Sequence, residues 1–236
     1  SSNINKSLKT LESKHQFVDL KNDYNLQSLS ELINYHDEPL CSINFFSDSL
    51  LKKEMRSDGH KVSISGIGAD EYFAGYWDHH LYSMHELKIS DKNKYEIFKN
   101  DWSNHIIPLI QNPDLKKSDL FEAKGLNFNS FRYKDNEIYS KFLIGGFEEK
   151  QNDFKFNTSS ILKNRMLNEL FFETLPIALD NEDLNSMYYS VENRSPFLNH
   201  DLVDYVNTIP SNQLINNGYS KYILREAING IADDEV

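Results

Sequence analysis

Hydrophobic and polar positions follow two regimes along this chain. Up to about residue 80, Gln16-Phe17-Val18-Asp19-Leu20 alternates as a short half-buried strand does, and Leu26, Leu29, Leu32 and Ile33 recur at helical spacing. The pattern predicts a strand followed by a helix, with His36-Asp37-Glu38-Pro39 ending the helix. Ser49 to Arg56 reads as the end of a second helix stopped by Asp58-Gly59, and Val62-Ser63-Ile64 as the next strand. Strands separated by helices of this size predict βαβ crossovers and a parallel sheet, whose ligand sites lie beyond the carboxyl ends of its strands. From about residue 81 the periodicity is helical, at Tyr95 to Phe98, Trp102 to Ile110, Ser118 to Phe121 and Leu162 to Leu175. Two polar, aromatic stretches punctuated by Gly or Asn, 127–135 and 145–156, are expected to be loops. With no repeat and no linker, the expectation is one continuous unit, its α/β portion at about 1–80 and its helical portion at about 81–236.

Composition narrows the partners. A chain of 236 residues, 39% hydrophobic and 13% aromatic, is long enough to bury a substantial core in one large domain or two small ones. The 15 Phe and 13 Tyr have no basic neighbours to make a stacking platform and are expected in the core and between helices. The net charge of −11, with no basic cluster denser than Lys116-Lys117, argues against nucleic acid and leaves small ligands or proteins. Cys41 is the only cysteine, so no internal disulfide forms. No segment approaches the roughly 20 apolar residues of a membrane span, which makes the cytoplasm the default compartment. The opening Ser1-Ser2-Asn3 is neither basic nor apolar and reads as a domain boundary rather than a signal peptide.

Candidate chemistry concentrates in SISGIGADEYFAGYWDHH, residues 63–80, directly after the predicted strand. Gly66 and Gly68 allow a sharp turn and close approach of a ligand to the backbone. Asp70 and Glu71 then stand where a helix begins, as hard oxygen ligands suited to a nucleotide phosphate carried with magnesium (Mg²⁺). An N-cap at Asp70, which stabilises a helix by about 1 kcal/mol without any ligand, is equally open from the loop alone. The spacing fits neither the Walker A loop nor the GxGxxG loop. Asp78, His79 and His80 invite a metal reading, but adjacent helical side chains point about 100° apart, and the pair is expected at the surface or facing a partner.

SGIGADEYFAGY resembles the SGxGxDExFxGY motif in the ATP-using synthetase domain of the asparagine synthetase family. HDEP at 36–39 is similar to the segment ahead of that strand, TLPIALDNEDLNSMYYSVENRSPFLNH to the family's LP…D…SM…S-x-E-x-R-x-PFLD stretch, and NNGYSKYILREA to its NG-x-x-K-x-x-LR block. The blocks occur in order over roughly residues 20 to 230. The resemblance implies a partial parallel sheet of the pyrophosphatase-loop ATPase kind, with ATP and Mg²⁺ as cofactors. It implies that a substrate carboxylate, aspartate for the family's namesake, attacks the α-phosphate of ATP, after which ammonia displaces AMP to leave an amide. Matching positions assign Lys221 as the catalytic cation with Arg225 one turn on, Asp70 as metal ligand, and Ser65, Gly66 and Gly68 as the nucleotide-facing backbone. Without that motif, Lys221 and Arg225 read as a solvated helix face. Glu192 and Arg194 are expected to brace the loop near Asp70, as are Asp183 and Ser186-Met187. The resemblance also implies an amino-terminal glutaminase domain, in the same or a partner chain, supplying the ammonia, and admits a homodimer.

The sequence departs from the family in three ways. Ile67 stands where many members carry Glu, and an aliphatic side chain can neither take a proton from ammonia nor stabilise an ammonium-like transition state. Asn199 replaces the Asp of PFLD, and Leu184 a commonly basic position. The SGGxDS pyrophosphate loop and the glutaminase cysteine do not occur in these residues. The expectation is a fragment of a longer polypeptide. Two alternatives stand beside the ligase: a non-catalytic scaffold keeping the fold, and an amidotransferase acting on a sugar or peptide carboxylate.

Overall fold

A computed structural model of the chain describes residues 8, 15–19, 23–111, 116, 141–145, 156 and 158–231. The expected helical turn at 118–121, the loop at 127–135 and most of 145–156 lie outside them. The described residues group into two compact units, one built from 1–75, 169–209 and 221–236, the other from 76–168 and 210–220.

In the first unit, α1 (Leu26–His36) starts where the Asn25 side chain accepts the Ser28 N–H at 2.9 Å and ends where Asp37 turns left-handed at φ 58°. The expected apolar stripe faces inward from Leu29 onward, while Leu26 is exposed. Helix α2 (Ile43–Ser57) begins at Ser42, whose hydroxyl accepts from Asn44 N. It stops as expected at Asp58-Gly59, where a residue at ease at φ 87° turns the chain so that the His60 N–H returns to Met55 O at 2.9 Å, beside the Gly59 N–H on Arg56 O at 3.0 Å. Leu32, Phe46 and Leu50 form a buried cluster, flanked by Leu29, Leu40 and Tyr188.

Strand β1 (Val62–Ile64) occupies the predicted residues and pairs in parallel with β2 (Glu192–Arg194), in the register Val62 to Glu192, Ser63 to Asn193 and Ile64 to Arg194. Among the described residues the sheet has these two strands alone. The chain is thus α/β with mostly helical content and a small parallel sheet. The strand expected at 16–20 is corrected: residues 15–19 carry no regular structure and Phe17 is exposed. Alternation alone does not make a strand where no neighbouring strand takes up its hydrogen bonds. The second strand comes from 192–194 instead, inside the stretch expected to be helical.

Helix α7 (Thr174–Tyr188) packs on α2 and α1, and a 3-10 turn, Pro196–Leu198, leads into α8 (His200–Thr208). A short α3 (Ala69–Tyr72) follows the loop after β1, and α10 (Tyr222–Ala227) closes the unit. In the second unit, α4 (Trp77–Ser90) packs against α5 (Lys92–His105), with α9 (Ser211–Leu214) later in the chain. Helix α6 (Ile161–Phe171) lies mostly in this unit. Trp102, Leu81, Tyr82 and Leu162 are buried here. Asp78, His79 and His80 are buried too, against the expectation of a surface position. Helix α4 is buried through Asp78 to Met84, all round its axis, which an amphipathic reading does not anticipate. Asp78 meets the buried Arg165 at 3.6 Å, and the His80 ring lies beside Phe98. No helix among the described residues is long and apolar enough to cross a membrane.

Candidate active site

The loop from Ser65 to Gly68 leaves the carboxyl end of β1 and turns into α3. Gly68 caps that helix at φ 94°, a conformation that glycine adopts without strain. It is also sterically required: a Cβ there would lie 2.6 Å from Leu198 Cδ2. The PFL turn therefore supports the loop from one side, with Phe197 set edge-on to Phe73. Asp70 is not the cap, because Gly68 holds that position and α3 has no side-chain cap. Its carboxylate is turned to another partner.

That partner is Lys221, whose Nζ lies 2.9 Å from Asp70 Oδ1. Lys221 takes the position before α10 at φ 54°, and its backbone N–H donates to Phe73 O at 3.0 Å. Ala74, fully buried, is also left-handed at φ 55°, and the Gly75 N–H returns to Asp70 O at 2.8 Å. Two non-glycine residues held in this sparsely populated region flank one ion pair, each at a cost of order 1 kcal/mol or more. Gly75 forms the floor. A Cβ at this position would run into Asp70 Oδ1 and come within 2.5 Å of Lys221 Cε.

Both partners remain accessible, with side chains 41% exposed for Asp70 and 27% for Lys221. Glu71, by contrast, is buried. One accessible carboxylate beside a cation, over a floor without a side chain, fits a magnesium ion that arrives with phosphate oxygens and keeps water in its shell. Arg225 is exposed one turn beyond Lys221, its N–H on the Lys221 carbonyl at 2.9 Å.

Ser65 is committed inward. Its N–H donates to Arg194 O at 2.9 Å and its hydroxyl to Glu182 Oε2 at 3.3 Å, so the backbone that remains to face a ligand starts at Gly66. Gly66 is exposed, and Ile67 between the glycines is half-buried. The expected brace by Glu192 and Arg194 is corrected in its mechanism: their side chains pair with each other at 2.8 Å in solvent, each holding the other in its charged form. It is their backbone, paired with β1, that steadies the loop. Of the others expected to brace it, Ser186 is buried while Asp183 and Met187 are exposed.

Four participants escaped the sequence reading. Gly75 falls outside the turn pattern that singled out Gly66 and Gly68. Buried Lys52 and Glu182 and half-buried Asn193 form a polar cluster behind Ser65. Lys52 sits in a run of charged residues that reads as a solvated face, and only its pairing explains its burial. Burial pushes the Glu182 carboxyl above the usual carboxylate range, with the Lys52 ammonium opposing and Asp48 adding to the rise. A separate concavity of about 260 Å³ in the second unit, lined by Phe98, Asp101, Ile215 and Asn216 among others, contains the first two residues of the NNGYSKYILREA block, Asn216 and Asn217, but neither Asp70 nor Lys221.

A family model described as Asparagine synthase matches residues 1–236. Among curated proteins, the chain is 27% identical over 244 residues to "Amidase chyE" of Penicillium rubens, covering 86% of this chain and 34% of that one. It is 27% identical over 247 residues to "Amidase chry2" of Gibberella zeae, again covering 86% and 34%. It is 29% identical over 189 residues to "Asparagine synthetase [glutamine-hydrolyzing] 3" of Bacillus subtilis, covering 78% of this chain and 26% of that one. The chain thus spans about a third or less of the length of these relatives. No solved structure matches.

Proposed function

This chain belongs to the asparagine synthase family, and from that premise we propose that it forms part of the ATP-using site of an AMP-forming amide ligase. The observation that carries the reading is the Asp70–Lys221 pair over Gly75, placed just after the loop at the carboxyl end of β1. A parallel sheet takes its ligands at that end. We read the two strands as part of a larger sheet of the pyrophosphatase-loop ATPase kind.

In this reading a substrate carboxylate oxygen attacks the α-phosphorus of ATP. The bond to the bridging oxygen breaks, pyrophosphate leaves with that electron pair, and ammonia then displaces AMP from the acyl-adenylate. Charge grows on the leaving pyrophosphate, and the Lys221 ammonium, held in place by its backbone bond to Phe73 and by Asp70, meets that charge without reorganising. Asp70 would hold Mg²⁺, which supplies neutralisation of phosphate charge when bound. The backbone from Gly66 to Gly68 admits the phosphates closely.

Aspartate is the acceptor by family likeness, with ammonia from a glutaminase domain. Ile67 supports a second reading, because a half-buried aliphatic side chain between the glycines suits a larger carboxylate better than it suits ammonia chemistry at aspartate. The test is ATP–pyrophosphate exchange in the complete gene product across a panel of carboxylates. Asp70→Asn keeps the side-chain volume and removes the charge that holds Lys221 and the metal, so exchange is expected to fall about 10²–10³-fold. Exchange at the wild-type rate in this variant would sink the assignment, and no exchange with any carboxylate in the wild type would favour a scaffold.

A further inference from the structure

Behind the loop lies a cluster of charged and polar side chains that the reaction just described does not use. Lys52 Nζ, on α2, donates to Ser63 Oγ at 3.0 Å and to Asn193 Oδ1 at 3.3 Å, and stands 3.6 Å from Glu182 Oε1 on α7. The side chains of this ion pair are 5% and 8% exposed. Glu182 Oε2 accepts the Ser65 hydroxyl at 3.3 Å. Ser65 Oγ also lies 3.2 Å from Ser195 Oγ and receives the Asn193 amide at 3.5 Å, while the Ser63 hydroxyl donates to Asn193 Oδ1 at 2.7 Å. Helix α2, helix α7 and both strands thus meet in one hydrogen-bonded set, and the set ends at the last residue before the Gly66-Ile67-Gly68 turn.

Burying such a pair is not an economical way to hold helices on a sheet. Well-packed hydrophobic residues of the same volume commonly do as well or better, because desolvating two charges offsets most of their attraction. What the pair supplies, and an apolar contact cannot, is direction. The Ser65 proton points to one carboxylate oxygen, the other oxygen faces Lys52, and Lys52 in turn fixes the residues across both strands. We infer that Lys52 and Glu182 are positioning residues for the nucleotide-facing loop, acting through Ser65 to fix where the backbone of Gly66 to Gly68 stands relative to Asp70 and Lys221. This rests on the adenylation reading for its substrate, ATP.

The test uses the complete gene product and reads equilibrium ATP affinity, the KM values for ATP and for the carboxylate in pyrophosphate exchange, and the thermal midpoint. Glu182→Gln leaves Lys52 buried without its counter-charge, so a loss there mixes stability with positioning. The double variant Lys52→Met/Glu182→Gln removes both charges. It is expected to melt near the wild type yet to bind ATP about tenfold more weakly, with the KM for ATP raised and that for the carboxylate little changed. Wild-type ATP affinity in a stable double variant overturns the inference, showing the pair to be structural only, as does an equal rise in both KM values. Should the double variant not fold, Ser65→Ala, which removes the hydroxyl and neither charge, is expected to give the same weakening, and unchanged affinity there overturns it too. A wild type that binds ATP without exchange on any carboxylate refutes adenylation while leaving the affinity comparison decisive for positioning.

Discussion

Asp70 and Lys221 meet at 2.9 Å across the bare backbone of Gly75, and Lys221 reaches that contact from a left-handed backbone tied by its own N–H to Phe73. The pair is held from below and from behind, while its open side faces solvent.

Gly75→Ala tests the floor. The methyl group pushes aside Asp70 and Lys221, both flexible side chains, and Gly75 does not occupy the left-handed region. Replacing Gly by Ala also reduces the entropy of the unfolded chain, contributing about 0.4–1 kcal/mol in favour of the fold. The thermal midpoint is therefore expected to move little while pyrophosphate exchange falls at least as far as in Asp70→Asn. A variant with full exchange would show that the geometry of the pair is immaterial.

Lys221→Ala and Ile67→Glu separate the two half-reactions. Losing a cation aimed at the leaving group costs about 2.7–4 kcal/mol, so Lys221→Ala is expected to lower exchange roughly 10²–10³-fold with ATP affinity less affected. Ile67→Glu places a carboxylate at a half-buried position. If aspartate is the acceptor, exchange stays and amide yield from aspartate and ammonia rises. If a bulkier carboxylate packs on Ile67, exchange with that substrate drops.

The pH dependence of stability carries two opposing slopes. His80 is buried beside Phe98, which lowers its pKa to about 4, with His79 contributing. The unfolded chain therefore binds a proton that the fold does not between about pH 6.5 and 4. Stability present above pH 6.5 is lost as pH falls through that window, by at most about 3 kcal/mol. Glu182 works the other way: its raised pKa makes the fold retain a proton longer than the unfolded chain, so stability is lost as pH rises through that raised value. Because His80 Nδ1 has no hydrogen-bond partner among the described residues, His80→Leu is tolerable there. Chemical denaturation at stepped pH should show a flatter acid limb in that variant, and an unchanged limb would place the proton elsewhere.

Asn199 has a local role that makes its departure from the family's Asp conservative. Its side chain caps α8, accepting from Asp201 N at 2.9 Å and Leu202 N at 3.3 Å, as Asp does. Asn199→Ala is expected to destabilise the fold by about 1 kcal/mol and Asn199→Asp to leave it level. Equal melting of all three proteins would remove the cap from the account.

Local chemistry made part of this legible in the sequence. Helix α1, the stop at Asp58-Gly59, strand β1 and the sharp turn at Gly68 follow from periodicity and from residues with particular backbone preferences, and each lies where those signals put it. The second strand did not announce itself, because Glu192-Asn193-Arg194 has no apolar alternation and owes its form to β1. The burial of Asp78 to His80 is likewise tertiary, coming from contacts such as Arg165 and Phe98 rather than from any local pattern. Lys221 was found through its motif, but its bond to Asp70 depends on a left-handed backbone that no propensity favours for lysine.

The order of the chain gives the Lys52 cluster a kinetic consequence. Ser65 and Glu182 are separated by 117 positions, Ser63 and Asn193 by 130, and Lys52 and Asn193 by 141. Closing such long loops is slow, since the entropy of bringing distant segments together is lost before any contact forms. During synthesis, Lys52 and Ser65 leave the ribosome well before Glu182 and Asn193, and Asp70 waits longer still for Lys221. The nascent chain therefore carries an unpaired strand edge and an uncompensated ammonium for much of its emergence. Slow translation between residues 65 and 182 prolongs that interval, and chaperone dependence is expected to track it.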